Sequence, residues 1–254
     1  MSKILPLLII AFGFFSGGLL NFIIAKLYLS RNIINEECAN SIKEQGWLRY
    51  LFWPFGVKAC PAKQQLRVFL VDLVFAAVAY WLWFDPPLKV EFWWGFTWIA
   101  YLAVVVVMDL EYRVVLLQVS AAGGILGLLI GTYLHTFSVT VLGGLAGYLL
   151  MLGLYKFGEV FGKKVGEMRG QELEEEALGF GDVYVSGILG LVLGWPGIIN
   201  GLVLGILAGG AGGLAHVAVS VVNRRFKAFE PIPYAPYLVF GAVALLYFRE
   251  IFLR

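Results

Sequence analysis

The sequence predicts an all-α, polytopic membrane helix bundle of about eight transmembrane helices, with the N-terminus extracytoplasmic. Three observations predict it. The 254-residue chain is 60% hydrophobic and only 14% charged, with a mean hydropathy of +0.83, whereas ordinary globular usage is roughly 45–50% apolar. Apolar windows of about 20 residues, the length that crosses a bilayer, can be placed eight times. When those windows alternate in direction, lysine and arginine collect on one side, which sets orientation. The net charge of +2 leaves no electrostatic footprint for nucleic acid, so the lipid bilayer is the expected surrounding and nucleic acid is not an expected partner.

The windows run Ile4–Leu29, Leu66–Phe84, Phe92–Met108, Val114–Leu134, Val139–Phe157, Ala177–Trp195, Gly197–Val222 and Tyr234–Leu253. The first is too long for the apolar core of a cleavable secretory signal, and it is expected to stay as a helix. The sixth reaches spanning length only if Gly179-Phe180-Gly181-Asp182 lies inside it, which puts Asp182 about one and a half turns into that helix. The last is interrupted by Arg249 and Glu250. With the N-terminus outside, Lys3, Lys89, Arg249 and Arg254 are outside and the other fifteen of the 19 basic residues are inside. The segments between windows are Ser30–Gln65, a cytoplasmic loop large enough for a subdomain, Lys156–Glu176, and the short basic turn Asn223–Pro233. The domain reading is residues 1–29 as a first helix, 30–65 as the loop subdomain, and 66–254 as a seven-helix membrane domain.

Glycines four apart recur in several windows: Gly13 and Gly17; Gly123, Gly127 and Gly131; Gly143 and Gly147; Gly201, Gly205, Gly209 and Gly213. Small residues at this spacing let helix backbones approach closely in lipid. Trp93, Trp94, Trp98 and Trp195 read as interfacial anchors. His135 reads as an outside loop residue and His216 as a packing residue.

The acids carry the chemistry. A carboxylate at membrane depth costs on the order of 2.5–3.5 kcal/mol even on the insertion scale, so it usually has a function or a partner. Asp109 closes the apolar run Tyr101–Met108, and Asp182 opens the run Val183–Trp195. Under the alternating topology both lie at the cytoplasmic ends of their helices. Two carboxylates able to share a water and a proton are the minimum equipment of an aspartic protease: one activates water, the other polarises the carbonyl and protonates the leaving amine. Helix polarity would make Asp182 the base and Asp109 the protonated partner, while Arg113, one turn beyond Asp109, pulls the other way. Which one holds the proton stays open, because such a pair titrates together. Gly179 and Gly181 would let an extended substrate backbone pass close to Asp182. The third acid, Asp72, reads as a structural partner of Arg67 or of a polar group on a neighbouring helix. Asn21 reads as an interhelical hydrogen-bond donor.

Several ordered segments resemble one family. Ala177-Leu178-Gly179-Phe180-Gly181-Asp182-Val183 closely resembles the GxGD motif of type IV prepilin peptidases. Asn21-Phe22-Ile23-Ile24 with Lys26-Leu27 is similar to that family's first-helix signature. Arg67-Val68-Phe69-Leu70-Val71-Asp72-Leu73 resembles its second-helix start, with Asp72 in place of the usual Glu. Asp109-Leu110-Glu111-Tyr112-Arg113 resembles the segment around its first catalytic aspartate, and Ile232-Pro233-Tyr234-Ala235-Pro236-Tyr237 the start of its last helix. The resemblance implies a membrane aspartic endopeptidase with Asp109 and Asp182 catalytic and Gly179, Phe180, Gly181 and Arg113 supporting them. It also implies prepilin-like substrates with basic leaders and action at the cytoplasmic face of the plasma membrane.

Many relatives also methylate the new N-terminus with S-adenosylmethionine, with the first loop involved. That makes Asn21 and Lys26 a candidate methylation region and S-adenosylmethionine a candidate cofactor, while the peptidase needs none; the alternative is a peptidase alone, without methyl transfer. Glu172, Glu174, Glu175 and Glu176, beside the Gly-Phe-Gly-Asp segment, are placed to contact a basic leader. The chain departs from the family pattern at Leu116, where a proline is usual, and at Tyr184, where a lysine is frequent. It also has only Cys38 and Cys60 in the loop where many members carry two CxxC pairs, so no tetrathiolate zinc site and no metal is expected. Two other function classes fit the bare acids: an ion-coupled transporter with Asp72, Asp109 and Asp182 as a relay, and a structural subunit whose carboxylates only pair helices.

Overall fold

In the computed structural model, residues 4–30, 62–86, 90–169, 179–223 and 233–248 are described. Among them are eight helices and no strand: α1 (Ile4–Ser30), α2 (Ala62–Phe84), α3 (Phe92–Tyr112), α4 (Leu117–Leu134), α5 (Phe137–Arg169), α6 (Phe180–Leu193), α7 (Gly197–Val222) and α8 (Ala235–Tyr247). Six of these are long and apolar enough to cross a membrane, and α6 and α8 are shorter apolar helices. The chain is a multi-pass membrane protein. At about 1.5 Å rise per residue, the 14 residues of α6 and the 13 of α8 fall short of a hydrocarbon core of about 30 Å.

Breakers set the boundaries that differ from the apolar windows. Gly179 is the N-cap of α6, so Asp182 is the third helical residue, in the first turn rather than one and a half turns in. Gly194, with φ of 66°, ends that helix, in a left-handed conformation that glycine adopts without steric cost. Lys156, expected to open a loop, lies inside α5. There Glu159 takes Lys156 at 2.8 Å and Lys163 at 2.9 Å, and pairs at i,i+3 and i,i+4 support continued helix.

The chain forms two compact units, Met1–Ala100 and Tyr101–Arg254, with the boundary inside α3. In the first, α1 lies on α2. A Cβ at Gly17 would stand 2.7 Å from Asp72 Cα, and one at Gly13 would stand 2.7 Å from Ala76 Cα, so the missing side chains let the two backbones touch. Phe12, Phe75, Phe92 and Phe96 form a ring cluster beside them. Trp98 is 1% exposed, whereas Trp93 is 63% and Trp195 47% exposed. Trp98 is therefore a core residue, five positions along α3 and on a different face from Trp93.

In the second unit α6 is the central element, packed on α4, α5, α7 and α8. The close approaches run through glycine: a Cβ at Gly131 would collide with the Leu191 carbonyl, one at Gly143 with that of Gly190, and one at Gly147 with that of Ser186. His135 is the C-cap of α4, with Nε2 3.2 Å from the Val192 carbonyl oxygen. His216, expected to pack, is exposed on α7.

Candidate active site

Three helix ends of the second unit build the site. Asp109 lies in the last turn of α3, which closes when the Arg113 N–H donates to the Asp109 carbonyl across 2.9 Å. Arg113 itself has φ of 55°, the left-handed end that satisfies a terminal carbonyl and turns the chain toward α4. Asp182 lies in the first turn of α6, and its carboxyl turns back on the backbone of its own N-cap, Gly179, in the manner of the acid in a capping box. The third end is the start of α8, where the Ala235 N–H donates to Asp109 Oδ2 across 3.1 Å.

Both carboxyls are 6% exposed, and the charge of Asp109 acts on Asp182. The guanidinium of the exposed Arg113 acts on Asp109 from beyond the helix end. Two buried carboxyls that act on each other are the arrangement in which one negative charge can be shared.

The helix-polarity argument for dividing their roles loses its asymmetry here. Asp109 sits at the C-terminal end of its own helix, but it also caps the N-terminus of α8, whose free N–H groups favour negative charge. Each aspartate thus faces a helix N-terminus, Asp182 that of α6 and Asp109 that of α8. Ala235 is legible in the sequence only as part of a proline-flanked helix start, with nothing to mark it as a neighbour of Asp109.

The two glycines of the motif behave differently. A Cβ at Gly181 would stand 3.0 Å from Val115 Cβ, so Gly181 lets α6 close on the α3–α4 connection. Gly179 is exposed, and among the described residues a Cβ there would meet only Asp182 Oδ2, at 3.7 Å. Phe180 packs edge-on against Tyr155 and Tyr184, with ring centroids 5.4 and 5.1 Å apart.

Asp72 and Asn21 form a separate polar cluster in the first unit, both fully buried. Asn21 Nδ2 donates to Asp72 Oδ1 at 2.9 Å and to the Val68 carbonyl at 3.2 Å, and Arg67 Nη1 donates to Asn21 Oδ1 at 2.8 Å. Asn21 thus has both amide hydrogens and its oxygen engaged, and it offers no free donor to S-adenosylmethionine. Lys26 is exposed, with its ammonium 5.0 Å from the centre of the Phe22 ring. Glu172, Glu174, Glu175, Glu176, Cys38 and Cys60 lie outside the described residues.

Residues 96–214 match the type IV leader peptidase family. This stretch holds both aspartates, and it bears out the resemblance carried by the motifs. Among curated proteins the chain is similar to the prepilin leader peptidase/N-methyltransferase of Burkholderia pseudomallei, 32% identical over 111 residues, or 42% of this chain and 30% of the relative. It is also similar to those of Aeromonas salmonicida, 33% identical over 127 residues, and Aeromonas hydrophila, 32% identical over 127 residues. Each Aeromonas match covers 49% of this chain and 38% of the relative, so the matched stretch spans about a third of the length of these relatives. No solved structure matches the chain.

Proposed function

We propose that this chain, similar to the type IV leader peptidases over residues 96–214, is a membrane aspartic endopeptidase that removes the leader from prepilin-like precursors. The observation that carries the reading is the placing of two buried carboxyls at helix ends of one unit, Asp109 in the last turn of α3 and Asp182 in the first turn of α6, with Asp109 held by the first N–H of α8. One carboxylate takes a proton from water as it attacks the scissile carbonyl; the other carboxyl donates to that oxygen and then to the departing amine. The missing side chain at the exposed Gly179 suits the close passage of an extended peptide. The reaction takes place at the cytoplasmic face of the plasma membrane, and the acidic segment Glu172–Glu176 draws the basic leader toward Asp182. A transport relay is disfavoured because Asp72 is bonded to Asn21 within the first unit, which leaves it engaged in helix packing.

Methyl transfer from S-adenosylmethionine to the new N-terminus is the second activity in this proposal, supported by the names of the relatives. Asn21, with its amide bonded to Asp72, Val68 and Arg67, does not fit a direct contact with that cofactor.

The deciding experiment is co-expression with a prepilin followed by intact-mass analysis of the product. Leader removal that depends on both aspartates supports the peptidase; a mature product formed by the Asp109→Asn, Asp182→Asn protein refutes it.

A further inference from the structure

Gly179, the N-cap of α6, lies between two different surfaces. On one side, a Cβ there would stand 3.7 Å from Asp182 Oδ2. On the other is Phe180, whose ring is held edge-on by two more, Tyr155 of α5 with centroids 5.4 Å apart and Tyr184 with centroids 5.1 Å apart, both at 83°. Tyr148 extends the row behind Tyr184, at 6.2 Å. Edge-to-face contact is a favoured geometry for aromatic pairs, so the Phe180 ring is fixed from both sides, and it is still 38% exposed. Two helical residues are turned by about 200°. The row of rings and the Asp182 carboxyl therefore flank the start of α6, with the exposed Gly179 between them.

A helix is about 10 Å across, and an extended peptide advances about 3.3 Å per residue. A peptide crossing the start of α6 over Gly179, with its scissile bond at Asp182, brings a side chain two or three residues away onto the rings. Lys156 decides its chemistry. Its ammonium lies 5.5 Å from the centre of the Tyr155 ring, so the row already carries a positive charge and a second cation would be repelled. We infer that Phe180, Tyr155 and Tyr184 form a specificity subsite that takes an aromatic side chain of the precursor, two or three residues from the bond that is cut. Tyr184 stands where a lysine is frequent in the resembled family, so one of the three rings comes from this chain's own departure. The inference rests on the peptidase reading above and names what that site selects.

The test uses the full chain in detergent and a set of prepilins carrying Phe, Ala or Lys, one substitution at a time, at the second and third residues on either side of the scissile bond. The quantity read is the ratio of kcat/KM for Phe over Ala within each enzyme, so that differences in folded protein cancel. Wild type is expected to prefer Phe over Ala about 3- to 30-fold at one of these positions, the worth of an aromatic contact and its buried area, and to reject Lys there. Phe180→Ala and Tyr184→Lys are each expected to bring that ratio to within about twofold of one, and Tyr184→Phe, which keeps the ring, to preserve it. A flat ratio at all four positions in wild type, a preference for Lys, or a ratio unchanged in both Phe180→Ala and Tyr184→Lys overturns the subsite while leaving the peptidase reading standing. Cleavage retained by Asp182→Asn overturns the peptidase reading itself.

Discussion

The backbone N–H of Ala235 donates to Asp109 Oδ2 across 3.1 Å, joining residues 126 positions apart. The first helical N–H of α8 is one of the donors that a helix leaves unsatisfied, and here a buried aspartate takes it. Asp109 therefore has a structural task besides any chemical one, and the two tasks separate by substitution. Asn at 109 keeps an oxygen that accepts from Ala235, whereas Ala leaves a buried N–H without an acceptor, at a cost of roughly 1–3 kcal/mol. Asp109→Asn should lose cleavage yet unfold thermally no earlier than wild type. Asp109→Ala should lose cleavage and also several degrees of Tm. Equal Tm values for the two variants would show that the contact contributes nothing to stability.

The two acids should behave as one unit. Asp109→Asn and Asp182→Asn are each expected to abolish leader removal, and the double variant should be indistinguishable from either single, since groups that act together are grossly non-additive. Initial rates with purified enzyme and saturating precursor check this. A graded loss, with the double variant far below both singles, would mean that the carboxyls act independently.

Much of this candidate site is legible in the sequence. An acid bounding an apolar run is costly enough to mark itself, so Asp109 and Asp182 stood out, and the alternation of windows put them on one side. Apolar length set the helices correctly to within a few residues, and the errors fell where local chemistry overrides hydropathy: at Gly179, which starts α6 late, and at Lys156, where ion pairs prolong α5. Ala235 was not legible as a site residue. Its contact comes from the packing of α8 and uses a backbone N–H, which every residue but proline has. The burial of Trp98 was missed for a related reason, since tryptophan suits both a membrane interface and a core.

The glycines of α4 give a contrast within one helix. A Cβ at Gly131 would collide with the Leu191 carbonyl, whereas one at Gly124 meets nothing within 4 Å among the described residues. Gly131→Ala should push α4 off α6 and lower thermal stability by about 1–3 kcal/mol, the usual range for overpacking. Gly124→Ala should be neutral or stabilising by up to about 1 kcal/mol, because alanine is the better helix former. Thermal unfolding in micelles distinguishes them; equal effects would remove close helix approach as the reason for the glycine at 131.

Substrate capture by the acidic segment should be a salt-dependent effect. Reversing Glu172, Glu174, Glu175 and Glu176 to lysine is expected to lower kcat/KM severalfold at low ionic strength and little at 0.15 M, where exposed charges are screened beyond about 8 Å. The comparison is kcat/KM for a precursor with a basic leader across a salt series. A deficit that persists unchanged in high salt would assign those residues a structural or short-range role.

The Asn21–Asp72 bond separates packing from methyl transfer. Asn21 donates to Asp72 Oδ1 between α1 and α2 with both groups fully buried, so truncating either leaves the other's polar atoms short of a partner. Asn21→Ala and Asp72→Ala should each lower stability by roughly 1–3 kcal/mol. The double variant should lose less than the sum of the singles, as residues in direct contact do. Thermal unfolding of the full chain in micelles measures this, and strict additivity would mean that the bond contributes nothing. The same proteins, given a precursor and S-adenosylmethionine, report on the second activity through the mass of the processed product, which gains one methyl group if transfer occurs. Because the side chain of Asn21 is engaged in packing, methyl transfer in Asn21→Ala should fall only in proportion to folded protein. A loss of methylation in fully folded Asn21→Ala, with leader removal intact, would instead place Asn21 in the methylating machinery.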